Sequence, residues 1–331
     1  MKAIVYTKYG PPEVLQLKEV EKPSPKDNEL LIRVYATPIT FGETKSRDFT
    51  FSLSEFWLPG PLYPLARLSM GVKKPKKTIL GSDFAGEIES VGKDVTLFKK
   101  GDQVFGYRGP NFGANAEYLC APEKSIMAIK PTNMSYEEAS AVVFNALIAL
   151  HFIKLANIQS GQKVLIVGAS GGIGQYAVQL AKNLGAEVTG VCSTTKIDFV
   201  KSLGTDNVID YKKDDFTKNG QTYDIIIDTT KNPSFSRCKS SLKQNGRLYL
   251  ATYGMKHVFQ MLGTKITGSK KKVICGMGSL KKEDLIYLKE LIEAGKIKSV
   301  IDKVYPLEEI AEAHSYVDKG LNKGNVVIKI D

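Results

Sequence analysis

Hydrophobic and polar positions follow three patterns along the chain, and each pattern predicts different elements. Up to about residue 125, short apolar runs alternate with turns rich in glycine and proline, which is typical of strands. From about 126 to 277, strand-like runs alternate with segments of helical period, which favours a parallel sheet with crossover helices. Beyond 277 the pattern predicts two helices and two strands. The predicted strands are 2–7, 15–20, 29–36, 85–91, 103–107, 116–121, 164–168, 187–191, 223–228, 246–251, 272–275, 300–304 and 325–330, and the clearest late helix is 281–294.

The most informative stretch is KVLIVGASGGIGQYAVQLAK, at residues 163–182. An apolar, partly β-branched run predicts a buried strand, and a glycine-rich turn and a helix pattern follow it. Glycines let backbone N–H groups approach a pyrophosphate, and a helix N-terminus favours negative charge. Although Ala169 replaces the first glycine of the usual G-x-G-x-x-G, the strand–turn–helix context predicts a dinucleotide site. The expected binding residues are Ser170, Gly171, Gly172, Ile173 and Gly174.

The end of the next strand indicates which dinucleotide binds. A site for NAD usually has an acidic residue about 20 positions past the glycines, where it holds the ribose 2′-hydroxyl. Here the corresponding segment contains Ser193, Thr194 and Lys196, and the first acid after it is Asp198. Hydroxyls and an ammonium suit a 2′-phosphate, so NADP(H) is expected rather than NAD(H). The alternative is that Lys196 only solvates the start of the following helix.

Length and composition predict a two-domain cytoplasmic enzyme. The 331 residues exceed the usual size of one domain. The four cysteines are isolated in sequence, which favours a reducing compartment and argues against a structural zinc lobe. The N-terminal decapeptide is interpreted as a first strand rather than a signal peptide, and no transmembrane segment is expected. The net charge is +11, but the basic residues are not interleaved with aromatic residues as in a nucleic-acid-binding module. No nucleic-acid partner is therefore expected.

Residues 49–77 form the one long stretch without a regular pattern. It combines many large apolar side chains with three prolines and ends in a lysine-rich run. Exposed apolar surface of this size usually marks a binding surface, so we expect a lid over the substrate entrance. Two alternatives are a flap packed for stability and a segment that docks on an anionic membrane.

Together the motifs resemble the medium-chain dehydrogenase/reductase superfamily, and within it the zinc-independent quinone oxidoreductase group. The resemblance covers nearly the whole chain except 49–77. It implies a GroES-like β-rich catalytic domain at 1–125 and 278–331, and a Rossmann NADP-binding domain at 126–277, with the cofactor in the cleft between them. It also implies that Tyr211 and Asn322 contact the adenosine phosphate. The matching motifs lie at 81–92, 99–107, 113–122, 137–153, 160–182, 201–211 and 322–328.

The zinc ligands of related dehydrogenases are missing from this sequence. Residues 37–43 contain no cysteine, and Ser82 stands where the zinc-binding branch has a histidine. Asp83 alone cannot hold a zinc ion, which needs three protein ligands. His151 and His314 fall in helix patterns as packing residues. No metal site is therefore expected.

Without a metal, the expected reaction is hydride transfer from NADPH to an electrophile that needs little acid help. Quinones and α,β-unsaturated carbonyl compounds fit, because a few hydrogen-bond donors can stabilise the oxygen that becomes negative. By the match to the family's N-P-V-D-x-x-x-R segment, Thr40 replaces the common Asn and Glu43 the Asp. Thr40 and Tyr107 are the candidate catalytic donors. A carbonyl or alcohol reductase and a non-catalytic NADPH-binding sensor remain alternatives.

The pattern of strands also predicts how copies of the chain assemble. The strand at 272–275 would be the last of the parallel sheet and would leave an open edge. In relatives such an edge pairs with its two-fold copy, so a homodimer is expected. A monomer whose edge is protected by Lys270, Lys271 and Lys272 is the alternative.

Overall fold

The computed structural model describes residues 1–49, 68, 70–230, 235–276 and 280–331. Its strands are β1 (Lys2–Val5), β2 (Gln16–Glu19), β3 (Glu29–Ile39), β4 (Asp83–Val91), β5 (Gln103–Tyr107), β6 (Tyr118–Pro122), β7 (Ile126–Ile129), β8 (Lys163–Val167), β9 (Glu187–Cys192), β10 (Asn207–Asp210), β11 (Tyr223–Asp228), β12 (Leu242–Leu250), β13 (Lys272–Cys275), β14 (Ile301–Pro306) and β15 (Asn325–Lys329). Its α-helices are α1 (Phe41–Asp48), α2 (Tyr136–Ala156), α3 (Gly172–Asn183), α4 (Ile197–Ser202), α5 (Phe235–Cys238), α6 (Met255–Ile266), α7 (Lys282–Glu293) and α8 (Ile310–Asp318).

The described residues divide into two compact units. The first comprises 1–49, 68, 70–144 and 281–331, and the second comprises 145–230, 235–276 and 280. The first unit is strand-rich and the second alternates strands and helices, so the predicted α/β class with two architectures is confirmed. The domain bounds inferred from the sequence stay a prediction.

The first unit is built around a seven-stranded sheet with the order β14-β15-β3-β4-β5-β7, and β6 pairs with β3 outside this path. All of these pairs are antiparallel except the parallel pair β14–β15. β3 is long and almost wholly buried, because strands lie on both sides of it. Leu30, Ile32 and Val34 pack there into a core with Ile88 and Val104.

The second unit is a six-stranded parallel sheet with the order β10-β9-β8-β11-β12-β13. The apolar run of β8 is buried, as expected for a central parallel strand. From β8 the chain builds outward through β9 and β10 on one side, and from β11 it builds through β12 and β13 on the other. The reversal of strand order between β8 and β11 is where ligands bind in doubly wound folds.

Helix α2 bears on the expectation that the chain has no transmembrane segment. By length and hydropathy it could cross a membrane, with a mean hydropathy of 1.8 over its best 18-residue window. The sequence does not predict it as a membrane span, because Asn145 and His151 interrupt its apolar run. Within the protein 72% of that window is buried, and a buried core helix of a soluble protein has the same composition.

The lid predicted at 49–77 lies largely outside the described residues. At its edges, Phe49 is in ring contact with Tyr9, with centroids 4.8 Å apart. The Tyr9 hydroxyl donates to the carbonyl oxygens of Met70 and Gly71. The role of the intervening segment stays a prediction.

Candidate active site

The glycine-rich turn of the second unit joins β8 to α3, and the predicted pyrophosphate residues lie in this turn and at the start of α3. Gly168 has a φ of +80°, a conformation that favours glycine. At Gly174 a Cβ atom would lie 2.1 Å from the Gly168 carbonyl oxygen, so the helix can approach the turn only without a side chain. Gly171 caps α3 and has no side chain to accept from its first N–H groups. The turn with Ser170, together with Gly172 and Ile173 at the start of α3, thus fits a phosphate-bearing cofactor.

The carboxyl ends of β8 and β11 meet beside this turn. The Thr229 hydroxyl, one residue past β11, donates to the Val167 carbonyl oxygen at 2.9 Å. Asp228 is buried, and its Oδ1 accepts from both the N–H and the hydroxyl of Thr230 at 2.7 Å. Burial raises the pKa of Asp228 to about 7, against the opposing effect of these two hydrogen bonds. A titratable carboxyl therefore lies at the switch point of the sheet.

The predicted adenosine-phosphate residues of the second unit come together at the ends of β9 and β10. Ser193 caps the short 3₁₀ helix Thr194–Lys196, and Lys196 donates its backbone N–H to the Ser193 carbonyl oxygen at 2.9 Å. Tyr211 is exposed just beyond β10, and its N–H donates to the Cys192 carbonyl oxygen at 3.1 Å. The parallel pairing of β9 with β10 brings both segments to one edge.

Asp210 lies in this same group and was missed by the sequence reading. The Thr194 hydroxyl donates to Asp210 Oδ2 at 2.7 Å, and the Lys212 N–H donates to Oδ1 at 3.1 Å. The hydrogen bond from Thr194, helped by Lys213 and Lys212, holds the pKa of Asp210 below its usual range. Along the chain Asp198 is the first acidic residue after β9, whereas Asp210 reaches this group from the neighbouring strand β10. Pairing of the short β10 with β9, which would have revealed Asp210, leaves only a weak sequence signal.

Asn322, the remaining predicted cofactor residue, belongs to the first unit. Its side-chain amide donates to the Gly324 carbonyl oxygen at 2.7 Å. Its assignment to the cofactor continues to rest on the resemblance.

The two candidate catalytic donors occupy the same end of the seven-stranded sheet. Thr40 follows the C-terminal end of β3 and caps α1, and its oxygen accepts from the Glu43 N–H at 3.2 Å. Tyr107 ends β5 and pairs in register with Asp83 at the start of β4. Its ring packs on Phe144 with centroids 5.1 Å apart. Burial, together with the nearby Asp83, raises the pKa of Tyr107, so its phenol keeps its proton.

Asp83 is buried at the start of β4, opposite Tyr107 in register. Its Oδ1 accepts from the Phe144 N–H at 2.8 Å, and the Thr37 hydroxyl donates to its backbone carbonyl oxygen at 2.8 Å. Among the described residues its Oδ2 has no hydrogen-bond partner. Burial raises the pKa of Asp83 well above its ordinary value, and Glu43 adds to this effect. Burial therefore disfavours the ionised form of this carboxyl.

A buried charged network connects α1 to α8. Arg47, only 2% exposed, donates to His314 Nδ1 at 3.1 Å and to Asp318 Oδ2 at 2.8 Å. A guanidinium can only donate, so the proton of a neutral His314 must be on Nε2, which lies 3.5 Å from Glu43 Oε1. The Asn115 side-chain amide donates to that same Glu43 oxygen at 2.5 Å. His314 was predicted as a packing residue, and its polar partners were invisible because they lie far away in sequence.

The positions that hold zinc in related dehydrogenases have other contacts here, and the absence of a metal site stays a prediction. The Ser82 hydroxyl donates to the Gly109 carbonyl oxygen at 3.2 Å, and Asp83 holds the backbone of α2. Over residues 1–49, 68, 70–230, 235–276 and 280–331, no group of three or more His, Cys, Asp or Glu side chains could hold a metal ion.

Comparison with known proteins identifies the family. Sequence families described as the alcohol dehydrogenase GroES-like domain and as zinc-binding dehydrogenase match residues 26–131 and 203–328. Quinone-oxidoreductase QR1, chloroplastic, from Triphysaria versicolor is 34% identical, over 99% of this chain and 98% of that protein. The NADPH-dependent alkenal/one oxidoreductase, chloroplastic, of Arabidopsis thaliana is 28% identical, over 99% of this chain and 79% of that protein.

A solved structure supports the same assignment. The quinone oxidoreductase from Coxiella burnetii superposes with a TM-score of 0.85 at 27% identity, covering 100% of this chain and 99% of its own. The strand-rich unit is thus GroES-like and the parallel-sheet unit is Rossmann-type. The chain is an oxidoreductase that belongs to the quinone oxidoreductase group of the medium-chain dehydrogenase/reductase superfamily.

Proposed function

We propose that the protein is a zinc-independent, NADPH-dependent oxidoreductase that reduces quinones or α,β-unsaturated carbonyl compounds. The observation that carries the proposal is that two hydroxyl-bearing residues, Thr40 and Tyr107, lie at one end of the β3-β4-β5 sheet, where Tyr107 pairs in register with the buried Asp83. This arrangement provides hydrogen-bond donors without a set of metal ligands. The alkenal/one oxidoreductase among its relatives carries NADPH in its name and supports the same class of reaction.

In the proposed reaction the protein has two tasks: it positions the substrate and donates hydrogen bonds to the substrate oxygen. When bound, the nicotinamide cofactor supplies a hydride to the β-carbon of an enone or to a quinone. The Thr40 oxygen already accepts from the Glu43 N–H, so its hydroxyl hydrogen can donate to the substrate oxygen. The protonated Tyr107 phenol can donate as well. A donor aimed at developing charge in a dry site contributes about 2–4 kcal/mol.

The cofactor is held, in this proposal, by the residues predicted from the sequence. The turn from Ser170 to Gly174 takes the pyrophosphate. Ser193, Thr194 and Lys196 take the adenosine end together with Tyr211 and, by resemblance, Asn322. The positive charge of Lys196 favours the 2′-phosphate of NADPH. Cytoplasmic localisation is part of the proposal, supported by four cysteines that are all free thiols.

Turnover assays with purified protein test the proposed activity. We expect NADPH oxidation, followed at 340 nm, with quinones or enones and not with saturated aldehydes or ketones. A metal chelator should not slow the reaction, and elemental analysis should find no stoichiometric zinc. Activity restricted to saturated carbonyls or alcohols would identify a carbonyl or alcohol reductase instead. NADPH binding without turnover of any substrate would favour a sensor, and one zinc per chain would overturn the mechanism.

A further inference from the structure

We propose that Asp210 is a specificity-determining residue, which limits the preference for NADPH by engaging the hydroxyl hydrogen of Thr194. This inference rests on the proposed function, because it concerns how the adenosine end of the cofactor is recognised. The sequence predicts that the Thr194 hydroxyl suits a 2′-phosphate. In this inference Thr194 lies in the site but does not donate to that phosphate.

The direction of the Thr194 hydrogen bond determines what this side chain can offer a ligand. A threonine hydroxyl has a single hydrogen, and an ionised carboxylate can only accept. At an oxygen–oxygen distance of 2.7 Å, the Thr194 hydrogen is therefore directed to Asp210 Oδ2. Toward a ligand Thr194 presents only lone pairs. These suit a ribose hydroxyl, which can donate, and they do not suit a phosphate, which can only accept.

The charge of Asp210 acts in the same sense. Asp210 is 9% exposed, its carboxylate accepts from Thr194, and it directly precedes Tyr211 in the chain. A negative charge at this position repels a 2′-phosphate and leaves the uncharged ribose of NADH unaffected. Lys196, Lys212 and Lys213 supply the opposing positive charge, since each lies at or next to the ends of β9 and β10. The cofactor preference is then a balance between these three cations and one carboxylate.

Replacing Asp210 by asparagine should reverse the hydrogen bond and remove the charge. The Lys212 N–H donates to Oδ1 at 3.1 Å, so the oxygen of an asparagine must keep that position. Its NH₂ group then replaces Oδ2 and faces the Thr194 oxygen as a donor. Thr194 accepts from it, and its own hydrogen becomes available to the phosphate. The substitution preserves shape and keeps both local hydrogen bonds.

Equilibrium binding of NADPH and NADH to four variants tests the proposal. Asp210→Asn should strengthen NADPH binding by about 3- to 10-fold and change NADH binding less than about twofold. Thr194→Val should have little effect on NADPH binding in the wild-type background. In the Asp210→Asn background it should remove most of the gain, giving a non-additive double-mutant cycle.

Asp198→Asn is the matched control, because it removes the same charge from an exposed position in the first turn of α4. It should leave the ratio of the two affinities unchanged. An equal gain from Asp198→Asn, or an unchanged ratio in Asp210→Asn, would overturn the role of Asp210 while leaving NADPH dependence intact. If the folded wild-type protein binds neither cofactor, the proposed function fails together with this inference.

Discussion

In the proposed function, Lys196 is the residue that most directly favours NADPH over NADH. Lys196→Ala should raise the NADPH dissociation constant about tenfold or more, because a charge-assisted hydrogen bond worth about 1.5–3 kcal/mol is lost. NADH binding should remain nearly unchanged. Fluorescence or calorimetric titration measures both. Lys201→Ala, which removes an exposed lysine from the last turn of α4, is the matched control. Equal weakening of both cofactors would contradict the assignment.

The phenol of Tyr107 offers the cleanest test of catalytic donation. Tyr107→Phe removes one hydroxyl and keeps the ring that packs on Phe144. If the phenol donates to the substrate oxygen in the transition state, kcat should fall about 100-fold with little change in KM.

Thr40 needs a paired comparison, since its side chain also caps α1. Thr40→Ser keeps the hydroxyl and should retain activity. Thr40→Val removes it and should lower both kcat and, by about 1 kcal/mol, stability. Full turnover in Tyr107→Phe and Thr40→Val together would exclude both residues as donors.

Asp228 should make stability depend on pH near neutrality. Its pKa in the folded protein is raised to about 7, above the value of about 3.9 expected in the unfolded chain. Between these values the folded state binds the additional proton, so Asp228 reduces the free energy of unfolding as pH rises toward about 7. Asp228→Asn cannot ionise. Its melting temperature relative to wild type should therefore be higher at pH 8 than at pH 5, and a difference independent of pH would refute this.

Single residues also show where sequence reasoning stops. The glycine turn was predictable because its chemistry is local: the amides that bind phosphate belong to consecutive residues. Asp210 and the Arg47–His314 pair were not predictable, because their partners are distant in sequence or lie on a neighbouring strand. Arg47 and His314 are 267 positions apart. A buried ion network of this kind is visible only after the fold has brought α1 and α8 together.

The helix that follows the glycine turn gives a prediction at the level of elements. Gly174→Ala would place a methyl group against the Gly168 carbonyl oxygen, so α3 must move away from the turn. Melting temperature should fall and NADPH binding should be lost. Gly263→Ala is the matched control, because it also lies within a helix but has open space around its Cβ position. That variant should be as stable as wild type or gain up to about 1 kcal/mol. Unchanged NADPH affinity in Gly174→Ala would argue against the turn as the pyrophosphate site.

Elements with strong periodicity were predicted well. The bounds of β5, β11 and β13 agree with those expected, since each is an apolar run between clear turn signals. β10 and α6 were not predicted from the sequence, and the two elements differ in the pattern that they show. β10 has four residues, too few for a period to emerge. Helix α6 does have a regular apolar stripe, but the stripe is not a buried face of this chain, because Phe259 and Ile266 on it are exposed at 65% and 83%.

At the level of the molecule, this stripe adds an argument for the homodimer, which remains our proposal. The stripe consists of Met255, Phe259, Leu262 and Ile266, and its helix packs on β13. In the described part of the sheet β13 pairs only with β12. An open strand edge and an apolar stripe thus adjoin each other, and a two-fold copy would cover both.

Light scattering at micromolar concentration tests the homodimer. Wild type should have twice the single-chain mass of 36.4 kDa, and Phe259→Lys with Ile266→Glu should have the single-chain mass. Leu97→Glu, which alters an exposed leucine of the first unit, should remain dimeric. A single-chain mass for wild type would instead support an edge protected by lysines.

The position of β15 in the first sheet has a consequence for synthesis on the ribosome. β15 lies between β14 and β3, and β3 carries part of the apolar core. During translation β3 leaves the ribosome before the second unit does, but the strand that covers its edge leaves only after the second unit. The second unit has no such gap, because its strands are contiguous in sequence. It can fold while the first unit waits with an open, aggregation-prone edge. The order of completion is thus the reverse of the order of synthesis: the unit that starts first finishes last.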